Sequence, residues 1–241
     1  MRAETRHQLK QDKFNKVTIS AAGATFEWCL EHKREVIIAG VVLLAVIGAG
    51  IGGWYYTNQR NDAASLSMAQ AVRTLQTPVR PAGIPPQAEY ASFASNMERA
   101  SLAHKQFQAI VDTYPHTHSA DIARYFVAVT DANMGNGAVA EREFKEVASL
   151  HDKDIAALAN FALASLYRSS DRTKEAIDIY KKLIEKPTNT VGKPMAQIAL
   201  AETYQAAGQA AEAKLILEQV QKENPSSEIS QLASQKLQNL K

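Results

Sequence analysis

The chain has 241 residues, and its 27 Lys and Arg against 25 Asp and Glu give a net charge of +2. Residues 57–241 hold 20 basic and 20 acidic side chains, so the larger part of the chain lacks the excess positive charge that favours nucleic acid as a partner. The single cysteine, Cys29, excludes a disulfide bond within the chain.

Residues 1–35 form a short basic segment with seven Lys or Arg and five acidic residues. Phe26, Cys29 and Leu30 recur at helical spacing within it. Two interpretations stay open for this segment. It is either a helix that lies on the cytoplasmic face of a membrane or touches a membrane partner, or a solvated, partly ordered tail.

Residues 36–56 read VIIAGVVLLAVIGAGIGGWYY and contain no charged side chain. A helix of this length rises roughly 31 Å, about the thickness of the hydrocarbon core of a bilayer. Basic Lys33 and Arg34 precede it and three aromatic residues, 54–56, end it, as is typical of membrane interfaces. We therefore predict an uncleaved, single-pass signal anchor with the N-terminus in the cytoplasm and residues 57–241 on the other side.

Small residues follow one another along this predicted membrane helix, with Gly48 and Gly52 at the spacing that lets two helices approach closely. The spacing predicts a contact between membrane helices, and with it a homo-oligomer. The alternative interpretation is that Gly and Ala are simply common in membrane helices.

Residues 57–87 begin with a predicted helix over 62–76, whose apolar side chains share one face. Four prolines then exclude a continued helix, because proline lacks the N–H that a helix needs. We predict an extended, proline-rich linker at Pro78, Pro81, Pro85 and Pro86.

Residues 88–241 contain an internal repeat in which a small residue is followed, four positions later, by a large apolar one. The small residues, at intervals of 37, 36 and 37, are Ala103, Ala140, Ala176 and Ala213, and the large ones are Phe107, Phe144, Tyr180 and Leu217. Proline follows three of these four helices, and Asp152 takes the corresponding place after the second.

A further helix precedes each of the last three repeat helices, with Val127, Leu163 and Leu200 on its buried face. Gly135 and Gly208 are placed in the tight turn between the two helices, and Asp171 stands there in the third repeat. The opening helix of the first repeat is either 62–76 or 88–96. A last helix, capped by Ser226 or Ser227, is predicted to cover the end of the array.

This pattern resembles the tetratricopeptide repeat (TPR) family, most clearly at residues 173–176 and 210–213. The resemblance implies an all-α chain: one N-terminal transmembrane helix, then a TPR-like α-solenoid of about four helix-hairpin repeats with a C-terminal capping helix. The alternative is an ordinary helical bundle.

In TPR arrays the first helices of successive repeats line a concave groove that binds proteins. By that resemblance the predicted groove residues here are Tyr125, Val129, Asn133, Phe161, Ser165, Arg168, Met195, Ile198, Glu202 and Gln205. Their mixture of apolar and polar side chains favours extended or unfolded polypeptide segments. The alternative is that they pack against the chain's own last helix or the 62–76 helix.

No motif for enzyme chemistry stands out. The chain has no Gly-rich phosphate loop, no nucleophile signature and no paired zinc-ligand motif. His116 and His118 lie in a polar loop without the three or four ligands that zinc requires. We therefore predict no catalytic residue, no cofactor and no metal site.

The order of the segments is similar to that of the ancillary Sec-translocon subunit (YfgM-like) family of bacteria. The resemblance lies in the 36–56 span, in residues 97–100, and in Ala120, Ala123 and Tyr125. It implies a bacterial inner membrane protein with a periplasmic repeat domain, and as partners translocon subunits, periplasmic chaperones and emerging chains. The alternative function is an oligomeric envelope scaffold or adaptor for outer-membrane assembly or cell division.

Overall fold

The structure is a computed structural model that describes residues 32–85 and 91–240. These residues are mainly α-helical, and the only extended pairing among them is an isolated bridge between Val79 and Phe93. The chain divides into two compact units, Met1–Asn58 and Gln59–Lys241. The helices are α1 Lys33–Gln76, α2 Asn96–Thr113, α3 His118–Asn133, α4 Gly137–Ala148, α5 Lys153–Ser169, α6 Thr173–Glu185, α7 Lys193–Ala206, α8 Ala210–Glu223 and α9 Glu228–Gln238.

The first unit contains the apolar span, residues 36–56, within helix α1. Its large apolar side chains are exposed along the whole span. By length and composition this helix is able to cross a membrane. The predicted helix or tail over residues 1–31 lies outside the described residues.

Helix α1 continues without a break to Gln76, so the separate helix predicted over 62–76 is the end of α1. Residues 57–61 contain no Gly or Pro to stop it. Thr57 also satisfies its hydroxyl inside the helix, donating to the carbonyl oxygens of Gly53 at 3.0 Å and Trp54 at 2.9 Å. The helix ends one residue before the Thr77–Pro78 bond, where proline disfavours helical geometry in the residue before it.

The 59–76 end of α1 opens the first repeat, which resolves the choice left by the sequence. Ala71 is fully buried there in a cluster with Phe107 and Ile110 of α2, and Met68 and Val72 pack against it. Residues 91–95 of the other candidate are not helical. They are held to the start of the proline-rich linker by two backbone hydrogen bonds, Arg80 N–H to Phe93 O and Phe93 N–H to Pro78 O.

The remaining helices form stacked hairpins, as predicted. The small alanines at the repeat position are fully buried in all four repeats, and the large residues four positions later are at most 2% exposed. Gly135 and Gly208 adopt positive φ angles of 84° and 75° in the predicted turns. Ser227 is the cap of α9, and its hydroxyl accepts from Ser230 N–H.

The third hairpin turn uses Asp171 at a φ of 59° instead of glycine, and a polar cluster fixes the residues around it. The next residue, Arg172, lies 3.9 Å from the centre of the Tyr167 ring and donates to Glu141 at 2.6 Å. The Tyr167 hydroxyl also donates to Glu141, at 2.9 Å. Hydrogen bonds from Arg172 and Lys145 lower the pKa of Glu141 to about 2. This cluster joins the second hairpin to the third.

Candidate protein-binding groove

A depression of about 430 Å³ lies between α3 and α5. We call it the groove. Six of the ten predicted groove residues line it together, namely Tyr125, Val129, Asn133, Phe161, Ser165 and Arg168. No residue of α1 or α9 lines it, so at this place the described part of the chain does not fill its own groove.

Aromatic packing holds the apolar wall of the groove in place. The Tyr125 ring lies 5.2 Å from that of Phe126 and 6.0 Å from that of Phe144, measured between ring centres. Phe161 meets Tyr180 edge-on at 5.4 Å. Such pairs contribute about 0.5–1.5 kcal/mol beyond the area they bury. Burial raises the pKa of the Tyr125 hydroxyl further above its ordinary value of 10.0, so the hydroxyl stays protonated at neutral pH.

The charge at the end of the groove is compensated within the chain. Arg168 Nη1 lies 2.7 Å from Glu202 Oε2, and Lys236 of α9 bonds the other oxygen of the same carboxylate. Burial alone raises the pKa of Glu202, but the hydrogen bonds from Lys236 and Arg168 outweigh it and the net shift is downward. The groove therefore offers an apolar and hydrogen-bonding surface, and its nearest cation already has a partner.

Ile198 does not line the groove but follows the alternative left open by the sequence, packing against the last helix. It is 6% exposed and lies in a core cluster with Leu217 of α8 and Ala233 of α9. The reason is that α9 packs on α7 and α8, where a following repeat would begin. Gln205 also faces α9 and donates to Asn239 O at 3.4 Å. Met195 is exposed at the start of α7 and does not line the groove.

The prediction also missed residues that complete the groove. On α5 these are Ala162, Leu166 and Ser169, each one position after a predicted residue, because the lining face of that helix is wider than one stripe. Ala132 adds to it from α3, and Phe144 reaches it from α4. The sequence signal at Phe144 indicated only a core residue, since it stands at a repeat position.

Histidines and acidic residues do not converge on a metal site in the part of the chain that the structure describes. His104 Nδ1 lies 3.1 Å from the Thr130 hydroxyl and 3.5 Å from Asp131 Oδ2. His118 Nδ1 lies 3.5 Å from Asp152 Oδ2. Each of these two histidines is thus paired with one carboxylate among the residues that the structure describes.

The predicted membrane-helix contact residues, Gly48 and Gly52, lie on an uncovered face of α1. A side-chain carbon added at either position meets no atom within 4 Å among the described residues. The face is free of the chain's own packing, and the contact itself remains a prediction.

The stacked hairpins with their small–large repeat define a helical-repeat protein of the class that binds other proteins through a concave face. The chain belongs to the tetratricopeptide repeat-like domain family, whose profile matches residues 27–182, more than half of the chain. A second tetratricopeptide repeat profile matches residues 195–227. A comparison with curated proteins found no match.

Solved structures show the same fold. The nearly identical TPR-like repeats of a candidate kinesin light chain from Podosopora anserina match at a TM-score of 0.55 and 17% identity, covering 75% of this chain and 86% of that one. A point variant of the same repeats matches at 0.56 and 16%, covering 75% and 85%. A tetratricopeptide repeat protein from Parabacteroides merdae matches at a lower TM-score of 0.46 and 18% identity, covering 59% of this chain and 54% of that one.

Proposed function

We propose that this chain is a membrane-anchored module that binds extended polypeptide segments in the groove between α3 and α5. The observation that carries the proposal is the lining itself. Aromatic and aliphatic side chains, Tyr125, Val129 and Phe161, alternate with the hydrogen-bonding groups of Asn133 and Ser165 around a depression that no other described part of the chain fills. An unfolded segment presents both apolar side chains and unpaired backbone groups to such a surface.

The anchor gives the groove a fixed place. We propose that residues 36–56 span the bacterial inner membrane with the N-terminus in the cytoplasm, and that the repeat domain lies in the periplasm beside the Sec translocon. The family profile begins at residue 27, so it includes the apolar span as well as the repeats. This supports the proposal that the span is part of the family's architecture and acts as its anchor. Tethering raises the effective concentration of the groove near emerging chains, so a weak groove is sufficient. Translocon subunits and periplasmic chaperones are the proposed partners.

Site-specific photo-crosslinking tests the groove. A photoreactive phenylalanine analogue at Ser165 should crosslink a carboxymethylated, unfolded client added to the detergent-solubilised protein. The same analogue at Ala138, which is exposed on α4 and does not line the groove, should not. Equal crosslinking at both positions would contradict the proposed site.

An oligomeric envelope scaffold is the second candidate, and the uncovered Gly48–Gly52 face of α1 favours it. Crosslinking in intact cells separates the two functions. Nascent secretory chains crosslinked at position 165 support the first function, whereas folded envelope proteins alone at that position support the scaffold.

Protease added to sealed spheroplasts tests the proposed orientation. It should digest residues 57–241, and their survival would contradict a periplasmic repeat domain.

A further inference from the structure

A second depression, of about 330 Å³, lies between α5 and α6 and shares no lining residue with the groove. Its floor is apolar and includes Ala156, Ile179 and Leu183. Three lysines surround this floor: Lys153 at the start of α5, Lys182 near the end of α6, and Lys186 directly after α6. We call this site the basic pocket. Its volume is within the range of about 300–1,000 Å³ that is usual for ligand sites.

Among the described residues, none of the three lysines has an acidic partner at ion-pair distance. No ion pair or side-chain hydrogen bond within the described residues includes the amino group of Lys153, Lys182 or Lys186, and no acidic residue lines the pocket. Other lysines of the same domain are paired, for example Lys145 with Glu141 and Lys193 with Glu223. Three like charges around one apolar floor repel each other, and an anionic ligand relieves that repulsion.

The repeat itself does not require these lysines. Measured from the buried alanine of each repeat, the position of Lys182 is occupied by Glu146 in the preceding repeat and by Gln219 in the following one. The position of Lys186 is occupied by Leu150 and Glu223 in the same way. The basic pocket is therefore particular to this hairpin, although the helix packing is common to all of them.

One wall of the pocket is held rigid. Thr188 contributes to it from the loop between α6 and α7. That loop is tied to the start of α5, because Asn189 N–H donates to Asp154 Oδ1 at 3.0 Å and the Thr190 hydroxyl donates to Asp154 O at 2.7 Å. A site whose wall is already ordered loses less conformational entropy on binding.

We propose that the basic pocket binds an acidic peptide segment of a partner protein, with one apolar side chain on the floor and neighbouring carboxylates on Lys153, Lys182 and Lys186. Lysine ammonium groups are flexible point charges that accept carboxylates in several geometries, which suits a peptide whose acidic residues are not rigidly spaced. The site is separate from the groove, so one chain is able to hold a client and an acidic partner together.

Fluorescence anisotropy on the full-length protein in neutral detergent tests the proposal. The probe is a fluorescein-labelled hexapeptide of alternating Glu and Leu, and the control probe replaces each Glu by Lys. The acidic probe should bind, and binding should weaken from 0.1 M to 1 M salt as the screening length falls from about 10 Å to about 3 Å. The K182E/K186E double variant should weaken binding roughly tenfold.

The K174E/K181E double variant is the matched control, because it changes the net charge by the same amount at exposed positions of α6 that do not line the pocket. Its affinity should stay within about twofold of the unmodified protein. Ala156→Trp fills the floor without changing charge and should weaken binding at least as much as K182E/K186E. Unchanged circular dichroism melting curves exclude unfolding as the cause.

Three results would overturn the proposal. The first is equal weakening by both double variants, which would show general attraction to basic surface. The second is binding of the basic probe as tight as that of the acidic one. The third is binding of a short-chain, water-soluble phosphatidylglycerol, lost in K182E/K186E, while the acidic probe does not bind. That result would assign the pocket to lipid headgroups.

Discussion

Arg168 of α5 and Glu202 of α7 form an ion pair, with 2.7 Å between Nη1 and Oε2, and Lys236 of α9 bonds the other carboxylate oxygen. Arg168 and Glu202 are 34 residues apart, close to the repeat length, so one carboxylate links the first helices of two repeats to the capping helix. Both residues were predicted to line the groove. The structure pairs them with each other, and the rest of the groove lining is apolar or uncharged.

Glu202→Gln should destabilise the C-terminal end of the array, because it leaves Arg168 and Lys236 facing each other without the carboxylate. For a half-exposed network we expect a loss of roughly 0.5–1 kcal/mol in the free energy of unfolding, smaller at high salt. The pKa of Glu202 is lowered in the fold, so its contribution is present at neutral pH and is lost as the pH falls through that pKa. Urea unfolding at two salt concentrations measures the effect. Glu218→Gln, which removes an exposed 3.7 Å pair with Lys214, is the control and should change little.

Glu143→Gln should stabilise the fold at high pH, whereas Glu202→Gln should destabilise it. Burial, and then the nearby Asp131 carboxylate, raise the pKa of Glu143 to about 7 from 4.5, and its Oε2 is buried without a hydrogen-bond donor among the described residues. The folded state therefore holds a proton that the unfolded state releases between these pH values, and the Glu143 contribution to stability falls as the pH rises through that window. Glu143→Gln should raise the melting temperature at pH 8 and leave it nearly unchanged at pH 4. An equal gain at both values, or the same gain in the exposed Glu185→Gln, would contradict the assignment.

Two glycines next to one turn should respond differently to alanine. Gly135 has a φ of 84°, so Gly135→Ala should cost about 1–2 kcal/mol even though its added carbon meets no atom within 4 Å. Gly137 begins α4 with a φ outside the left-handed region, and an added carbon there meets Leu166 Cδ1 at an ordinary 4.0 Å. Gly137→Ala should therefore be neutral or stabilising by up to about 1 kcal/mol. Thermal melting of both variants measures the two changes in stability. A loss of stability of similar size in both would show that backbone strain at position 135 is not the cause.

The sequence predicted the parts of the fold that depend on one position in each repeat. The buried alanines, the large residues four positions later and the turn glycines are local requirements of a helix hairpin, so periodicity identified them. Ile198 could not be assigned in this way, because its burial depends on where α9 packs. The ordered wall of the basic pocket at Asp154 likewise results from hydrogen bonds that no spacing in the sequence reveals.

Ser165→Arg should block the groove while leaving the fold intact. Ser165 is half-buried in the lining, and a long cationic side chain there occupies the depression and adds an unpaired charge beside the apolar wall. We expect binding of an unfolded, carboxymethylated client to fall at least about tenfold in a pull-down with purified protein, with an unchanged melting temperature. Ser170→Arg adds the same side chain at an exposed position that does not line the groove, and it should retain binding. Equal loss in both variants would place the client elsewhere on the domain.

Leucine at Gly48 and Gly52 should separate the predicted homo-oligomer into monomers. Two membrane helices approach closely only where small residues line the contact, and lipid offers no hydrophobic force to compensate for a poorer fit. Gly50 lies on the opposite side of the same helix and also has open space around it, so Gly50→Leu adds the same side chain away from the predicted contact. Blue-native electrophoresis in mild detergent should show the oligomer in the unmodified protein and in Gly50→Leu, and a monomer in the Gly48→Leu/Gly52→Leu double variant.

An oligomer that survives in the double variant would mean that the repeat domain, or a different face of α1, holds the copies together. A monomer in every case would remove the scaffold function and leave the groove to act as a tethered single copy.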